Sequence, residues 1–190
     1  MTIQLGQIVS DFEQNTIRSA PGFTGPSARR PPTQQLRNVR ESSLRKRLVG
    51  TWTLMRYVEN DIVTGGENHP FGEHPLGLLL YTPDGYVSAQ LQHRERSRFA
   101  DGDPLRATAA EYASAGSTYI AYSGRYFVDE AKQALSHEMA VSLFPNWFGQ
   151  RQVRLVQVTG EYLQLSTDGP QRFNGALKIA TLTWQRADCN

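Results

Sequence analysis

The sequence predicts an all-β fold, in which about eight antiparallel strands close into a barrel flanked by short helices. Three observations predict it. From Leu48 onward the apolar residues recur with a period of two, in runs that follow one another at hairpin spacing. Those runs are punctuated by turn formers, drawn from 16 Gly and 10 Pro among 190 residues. The composition is 39% hydrophobic and 10% aromatic, enough to bury a core and so to exclude wholesale disorder.

The elements follow in order. Residues 2–18 place Leu5, Ile8, Val9 and Phe12 at helical spacing, and residues 19–33, with four Pro and two Gly, read as a linker. Residues 34–47 read as a second short helix with Leu36, Val39 and Leu44 on one side. Then the period changes. Trp52 to Val58 is a strand. Leu76 to Tyr81 and Tyr86 to Gln92 are two more, joined by Thr82-Pro-Asp-Gly85, where Pro83 presets φ and Gly85 can take a positive φ. Thr108-x-x-Glu111 is a capping box opening a helix that Gly116 can end, placed to cover one mouth of a barrel. Tyr119 to Val128, Leu135 to Phe144, Gln152 to Thr159, Tyr162 to Ser166 and Leu177 to Gln185 complete the meander. Eight antiparallel strands enclose room for one small ligand, and closure removes exposed strand edges. The expected domains are an arm, 1–47, and a barrel, 48–190.

Charge is unevenly spread. Residues 1–48 carry eight basic groups against three acidic, a net of +5, whereas residues 49–190 carry a net of −3. The basic arm lacks aromatic interleaving and any nucleic-acid motif, so a solvated face is expected and no nucleic-acid partner. Its helices are expected either to pack on the barrel or to mediate self-association as a homodimer. The longest apolar run, Leu76 to Tyr81, is too short for a bilayer, so no membrane is expected. Asp11 and Glu13 fall where a leader avoids acids, and a single Cys, Cys189, leaves no disulfide framework. A cytoplasmic setting is the expectation. His-x-His, His-Glu-x-x-His, Gly-x-Gly-x-x-Gly, phosphate-loop and Gly-x-Ser-x-Gly patterns are all missing. No metal and no cofactor are therefore expected.

LVGTWTL (48–54) is similar to the Gly-x-Trp opening of lipocalins. With HPLGLLLYTPDGYVSAQL (74–91), DGDPLRAT (101–108), YSGRYFVDE (122–130), SHEMAVSLFPNWFGQRQVR (136–154) and LTWQR (182–186), the chain resembles the lipocalin-like domain family of small bacterial and fungal proteins. The resemblance covers about 140 residues and leaves the first 47 outside it. It implies a barrel with a central cavity, and it implies that Trp52 closes the floor with Arg186 over its ring. Some fungal members act as cofactor-free cyclases or isomerases in natural-product pathways.

Within that frame, alternation nominates the site. His137 shares a face with Leu135, Met139, Val141 and Leu143, where it is either an acid or base near neutrality or a hydrogen-bonded core residue. Tyr122 and Tyr126 share a face with Ile120 and Gly124, and Gly124 leaves room there for a ligand or for a close backbone approach. Arg154 is either an inward-facing oxyanion stabiliser or an outer-wall salt bridge. Tyr81, Ser88 and Gln90 are candidate polar groups of the lumen. Phe144, Asn146 and Trp147 belong to an aromatic loop that forms a rim, a lid or a plug.

Three functions stay open. The first is a cofactor-independent cyclase or isomerase acting on a hydrophobic, oxygenated small molecule, in its concrete form adding a hydroxyl to an alkene. It would use His137 and Tyr122 for proton transfer and Arg154 for the oxyanion, with Tyr81, Ser88, Gln90, Tyr126, Met139, Phe144, Asn146 and Trp147 around the ligand. The second is a carrier of a hydrophobic ligand. The third is an interaction protein whose arm recruits a partner.

Overall fold

The computed structural model describes residues 43–188. The expected helix at 2–18, the linker at 19–33 and most of the expected helix at 34–47 lie outside the described residues. The chain enters as a short helix, α1 (Leu44–Leu48). Ten strands follow: β1 (Gly50–Asp61), β2 (Glu67–Asn68), β3 (Leu76–Tyr81), β4 (Tyr86–Gln92), β5 (Tyr119–Asp129), β6 (Ala134–Ser142), β7 (Arg151–Thr159), β8 (Tyr162–Thr167), β9 (Gln171–Phe173) and β10 (Ala176–Arg186). A second helix, α2 (Ala109–Ser117), interrupts the meander before β5.

Every neighbouring pair is antiparallel, in the order β2-β1-β3-β4-β5-β6-β7-β8-β10-β9, and β1 also pairs with β10 along nine register positions. That last pairing closes eight long strands into a barrel, so no long edge is left unpaired. The small β2 and β9 extend β1 and β10 past the rim and were not anticipated.

Turn chemistry fixes the hairpins. Gly85 takes φ +100° and Thr82 N–H donates to Tyr86 O at 2.9 Å, as Thr-Pro-Asp-Gly leads one to expect. The β7–β8 reversal places Gly160 at φ +57°. In α2 the capping box forms in both directions: Thr108 N–H donates to Glu111 Oε2 at 2.7 Å, and Glu111 N–H donates to Thr108 Oγ1 at 3.3 Å. Gly116 does not end this helix, which runs on to Ser117, and the Thr118 hydroxyl donates back to Ser114 O at 2.8 Å.

α1 stoppers one end of the barrel. Leu44 and Leu48 are buried in the core beside Trp52 and Tyr81. The helix N-terminus is tied down by Glu130, whose carboxylate accepts from Leu44 N–H at 2.8 Å and Arg45 N–H at 3.2 Å. Arg186 lies 4.1 Å above the Trp52 ring and donates to Val49 O and Arg47 O at 3.1 and 2.7 Å. The floor implied by the family resemblance is thus present.

Two bulges bend the alternation. Met55 is the extra residue between Leu54 and Arg56 against β10. Ala140 is the extra residue on β6, because Gly124 pairs with Met139 while Ser123 pairs with Val141. The second bulge overturns part of the expected inner face. Leu135, His137 and Met139 point inward and are buried, but Val141 is turned outward and is 62% exposed. The open question about Gly124 resolves here: a Cβ on it would sit 1.9 Å from Glu138 O, so the glycine serves the backbone approach at the bulge.

Candidate functional site

A cavity of about 680 Å³ occupies the end of the barrel away from α1. That volume is in the range that holds a drug-sized molecule. Its wall is built from inward positions of the strands: Leu79, Leu91, Ile120, Tyr122, Leu165, Leu182 and Trp184. Its mouth is formed by Pro70 and Phe71 after β2, the C-terminal end of α2, Phe144 and Trp147 after β6, and Phe173 with Asn174. Polar side chains are set among these: Tyr57, Glu59, Asn68, His69, Tyr119, Tyr122, Gln152, Arg154, Thr167, Gln171 and Asn174 all border the cavity.

His137 sits beneath that cavity and does not line it. It has no exposed surface. Tyr81 Oη lies 2.7 Å from its Nε2, and Tyr122 Oη lies 3.0 Å from its Nδ1. A neutral imidazole donates through one nitrogen and accepts through the other, so this sandwich satisfies both. Burial, aided by the nearby Arg154 charge, pushes its pKa down to about 3. Burial likewise raises the phenol pKa of Tyr81 and of Tyr122. The trio is therefore uncharged across the neutral range, and Tyr122 is the member that reaches the cavity.

Arg154 takes the inward alternative. On β7, Gln152, Arg154 and Val156 turn in, whereas Val153 and Leu155 are exposed. Its guanidinium donates to Gln152 Oε1 at 2.7 Å and to Val153 O at 2.9 Å. No ion pair to it occurs among the described residues.

A second charged group was missed from the sequence. Glu59 is 3% exposed and meets Lys178 Nζ at 3.0 Å, while Tyr57 Oη donates to its other oxygen at 2.8 Å. Asn68 Nδ2 adds a bond at 3.3 Å. The Met55 bulge puts Tyr57 and Glu59 on the inner face, and Lys178 lies 119 residues away, so no local pattern links the two ends. Trp184 was missed as well. It lines the cavity, and its Nε1 is buried with no partner among the described residues.

The remaining expected site residues divide. Phe144 and Trp147 line the mouth, and Trp147 stands edge-on to Tyr122 at 5.9 Å and to Phe144 at 5.7 Å. Asn146 is exposed and does not line the cavity. Tyr81 and Tyr126 belong to the packed floor, with rings 4.8 Å apart and the Tyr126 hydroxyl donating to Thr82 O at 2.9 Å. Met139 is buried away from the cavity. Ser88 and Gln90 are corrections: Val87, Ala89 and Leu91 hold the inner face of β4, so period two turns those two outward. There Ser88 accepts from Ser123 Oγ at 2.9 Å and Gln90 accepts from Tyr119 Oη at 2.7 Å. Among the described residues no group of three or more His, Cys, Asp or Glu is arranged to hold a metal ion, and no helix is long and apolar enough to cross a membrane.

A closed barrel with a cavity at one end and a tryptophan–arginine floor at the other defines a class of small-molecule-binding folds. The family model described as the lipocalin-like domain matches residues 49–187, and the chain belongs to that family. It is also similar to the 4'-hydroxy-3'-methoxypropiophenone carrier protein ppsC of Aspergillus oryzae (strain ATCC 42149 / RIB 40), at 33% identity over 106 residues, covering 53% of this chain and 96% of that protein.

Proposed function

We propose that this protein binds and carries a hydrophobic, oxygen-bearing aromatic molecule in its barrel and releases it unchanged. The observation that carries this reading is the separation between cavity and chemistry: His137, the natural proton shuttle, is sealed beneath the floor of the site with its pKa pushed far below neutrality. The lining combines apolar side chains with polar groups set among them, which suits an apolar guest held in one orientation by its oxygens. The similarity to a protein named as a carrier of an aryl ketone supports the same reading.

A cofactor-independent cyclase or isomerase, of the kind that adds a hydroxyl to an alkene in natural-product biosynthesis, has one specific observation in its favour. Tyr122 borders the cavity with its hydroxyl 3.0 Å from His137 Nδ1, which places a phenol within reach of a guest. Incubation with 4'-hydroxy-3'-methoxypropiophenone, read by native mass spectrometry and then by chromatography of the released ligand, tests the carrier reading. One ligand per barrel, recovered unaltered, is expected. No complex with this or related aryl ketones would overturn that reading, and recovery of an isomer would replace it with the enzymatic one.

A further inference from the structure

We propose that the cavity selects guests bearing an ionised acidic oxygen, a phenolate, carboxylate or similar anion on an apolar body, and seats that oxygen on Arg154. The inference rests on the carrier reading and specifies the charge of the cargo.

The cavity's own charges are unequal. Glu59 is the acidic residue among its lining, and it is already matched by Lys178 at 3.0 Å. Arg154 then stands as a cation with no carboxylate partner among the described residues. Of the other arginines on the strands, Arg56 pairs with Glu67 at 2.6 Å, Arg151 with Glu138 at 2.6 Å and Arg186 with Glu161 at 3.3 Å, while Arg125 and Arg172 donate to the Tyr86 hydroxyl and to Gly175 O away from the cavity, so Arg154 is set apart by lining the cavity without a carboxylate. Arg151 and Arg154 lie on the same strand, so the contrast is one of face. The outward arginine has its carboxylate, and the inward one has a carbonyl and an amide.

A guanidinium cannot shed its proton to escape an apolar setting, as a lysine or histidine does. Its charge also reaches the surrounding groups, opposing the rise of the Tyr57, Tyr81 and Tyr122 pKa values and adding to the fall at His137. Two of its five N–H bonds are engaged by Gln152 and Val153, which fix the fork and leave donors for a ligand oxygen. A partly buried, hydrogen-bonded and uncompensated guanidinium is what a bidentate anion contact requires.

The test uses two probes of one shape. 1-Anilinonaphthalene-8-sulfonate is anionic, and N-phenyl-1-naphthylamine is the same skeleton without the sulfonate. Fluorescence titration of the full chain is expected to show the anion bound about tenfold more tightly. In R154M that preference falls to within about threefold, R154K retains part of it, and R154Q follows R154M if the methionine variant fails to fold. Equal binding of both probes by the wild type, or an undiminished preference in R154M, overturns the anion proposal while leaving a neutral carrier in place. Binding of neither probe removes both.

Discussion

Tyr122 Oη lies 3.0 Å from His137 Nδ1, and of the two side chains Tyr122 alone borders the cavity. The histidine is thus a buried base connected to the site through a phenol, with a second phenol, Tyr81, on its far nitrogen. Its energetics are those of the core, and they lead to measurable pH behaviour.

An imidazole held neutral by burial resists protonation until about pH 3, whereas in the unfolded chain it takes a proton near pH 6.5. Between those values the unfolded state binds more protons. Stability is therefore complete above about pH 6.5 and falls as the pH is lowered, by up to about 1.4 kcal/mol per unit for this one group. H137Q is expected to remove that contribution. Urea midpoints of wild type and H137Q across pH 4 to 7 check it, and parallel slopes would refute the assignment.

Tyr81→Phe leaves a ring nitrogen of His137 buried without a partner. The expected loss is about 1–3 kcal/mol, the cost of an unsatisfied buried polar group. Urea unfolding of Y81F and of the double variant Y81F/H137L checks it. The second change should restore part of the loss if the stranded nitrogen is its source.

The Glu59–Lys178 pair is 4% and 11% exposed at its side chains, so neither charge tolerates loss of the other. K178M is expected to destabilise by about 3–5 kcal/mol, and the double variant E59Q/K178M to recover much of it. Thermal and urea denaturation of the set give the coupling.

Gly124→Ala would drive a methyl into Glu138 O and Ala140 N at the β5–β6 bulge. A loss of about 1–3 kcal/mol is expected from overpacking against backbone that has nowhere to go. A neutral Gly124→Ala in urea unfolding would show that the bulge relaxes.

The fold was largely legible because period-two runs and turn residues act locally: β3 and β4 begin and end where their sequence pattern changes, and Thr-Pro-Asp-Gly makes the hairpin between them. The site was legible in part. Tyr122, Arg154, Phe144 and Trp147 reach the cavity because strand parity and the loop after β6 put them there. The polarity of Ser88 and Gln90 suggests the lumen, but alternation gives that face to Val87, Ala89 and Leu91. Val141 defied parity because a bulge adds one residue, and nothing in Glu-Met-Ala-Val announces which residue will be extra. Glu59 and Lys178 were invisible because their pairing is made by barrel closure, across 119 residues.

The stopper formed by Leu44, Leu48, Trp52 and Arg186 carries a last consequence for traffic. A vessel corked at its base is a cul-de-sac: among the described residues the mouth lies between α2, Phe71 and Trp147, so a guest of the proposed carrier would leave by the way it came. Under the carrier reading, loading and delivery would then share one doorway, and the side chains around it would set the pace of both.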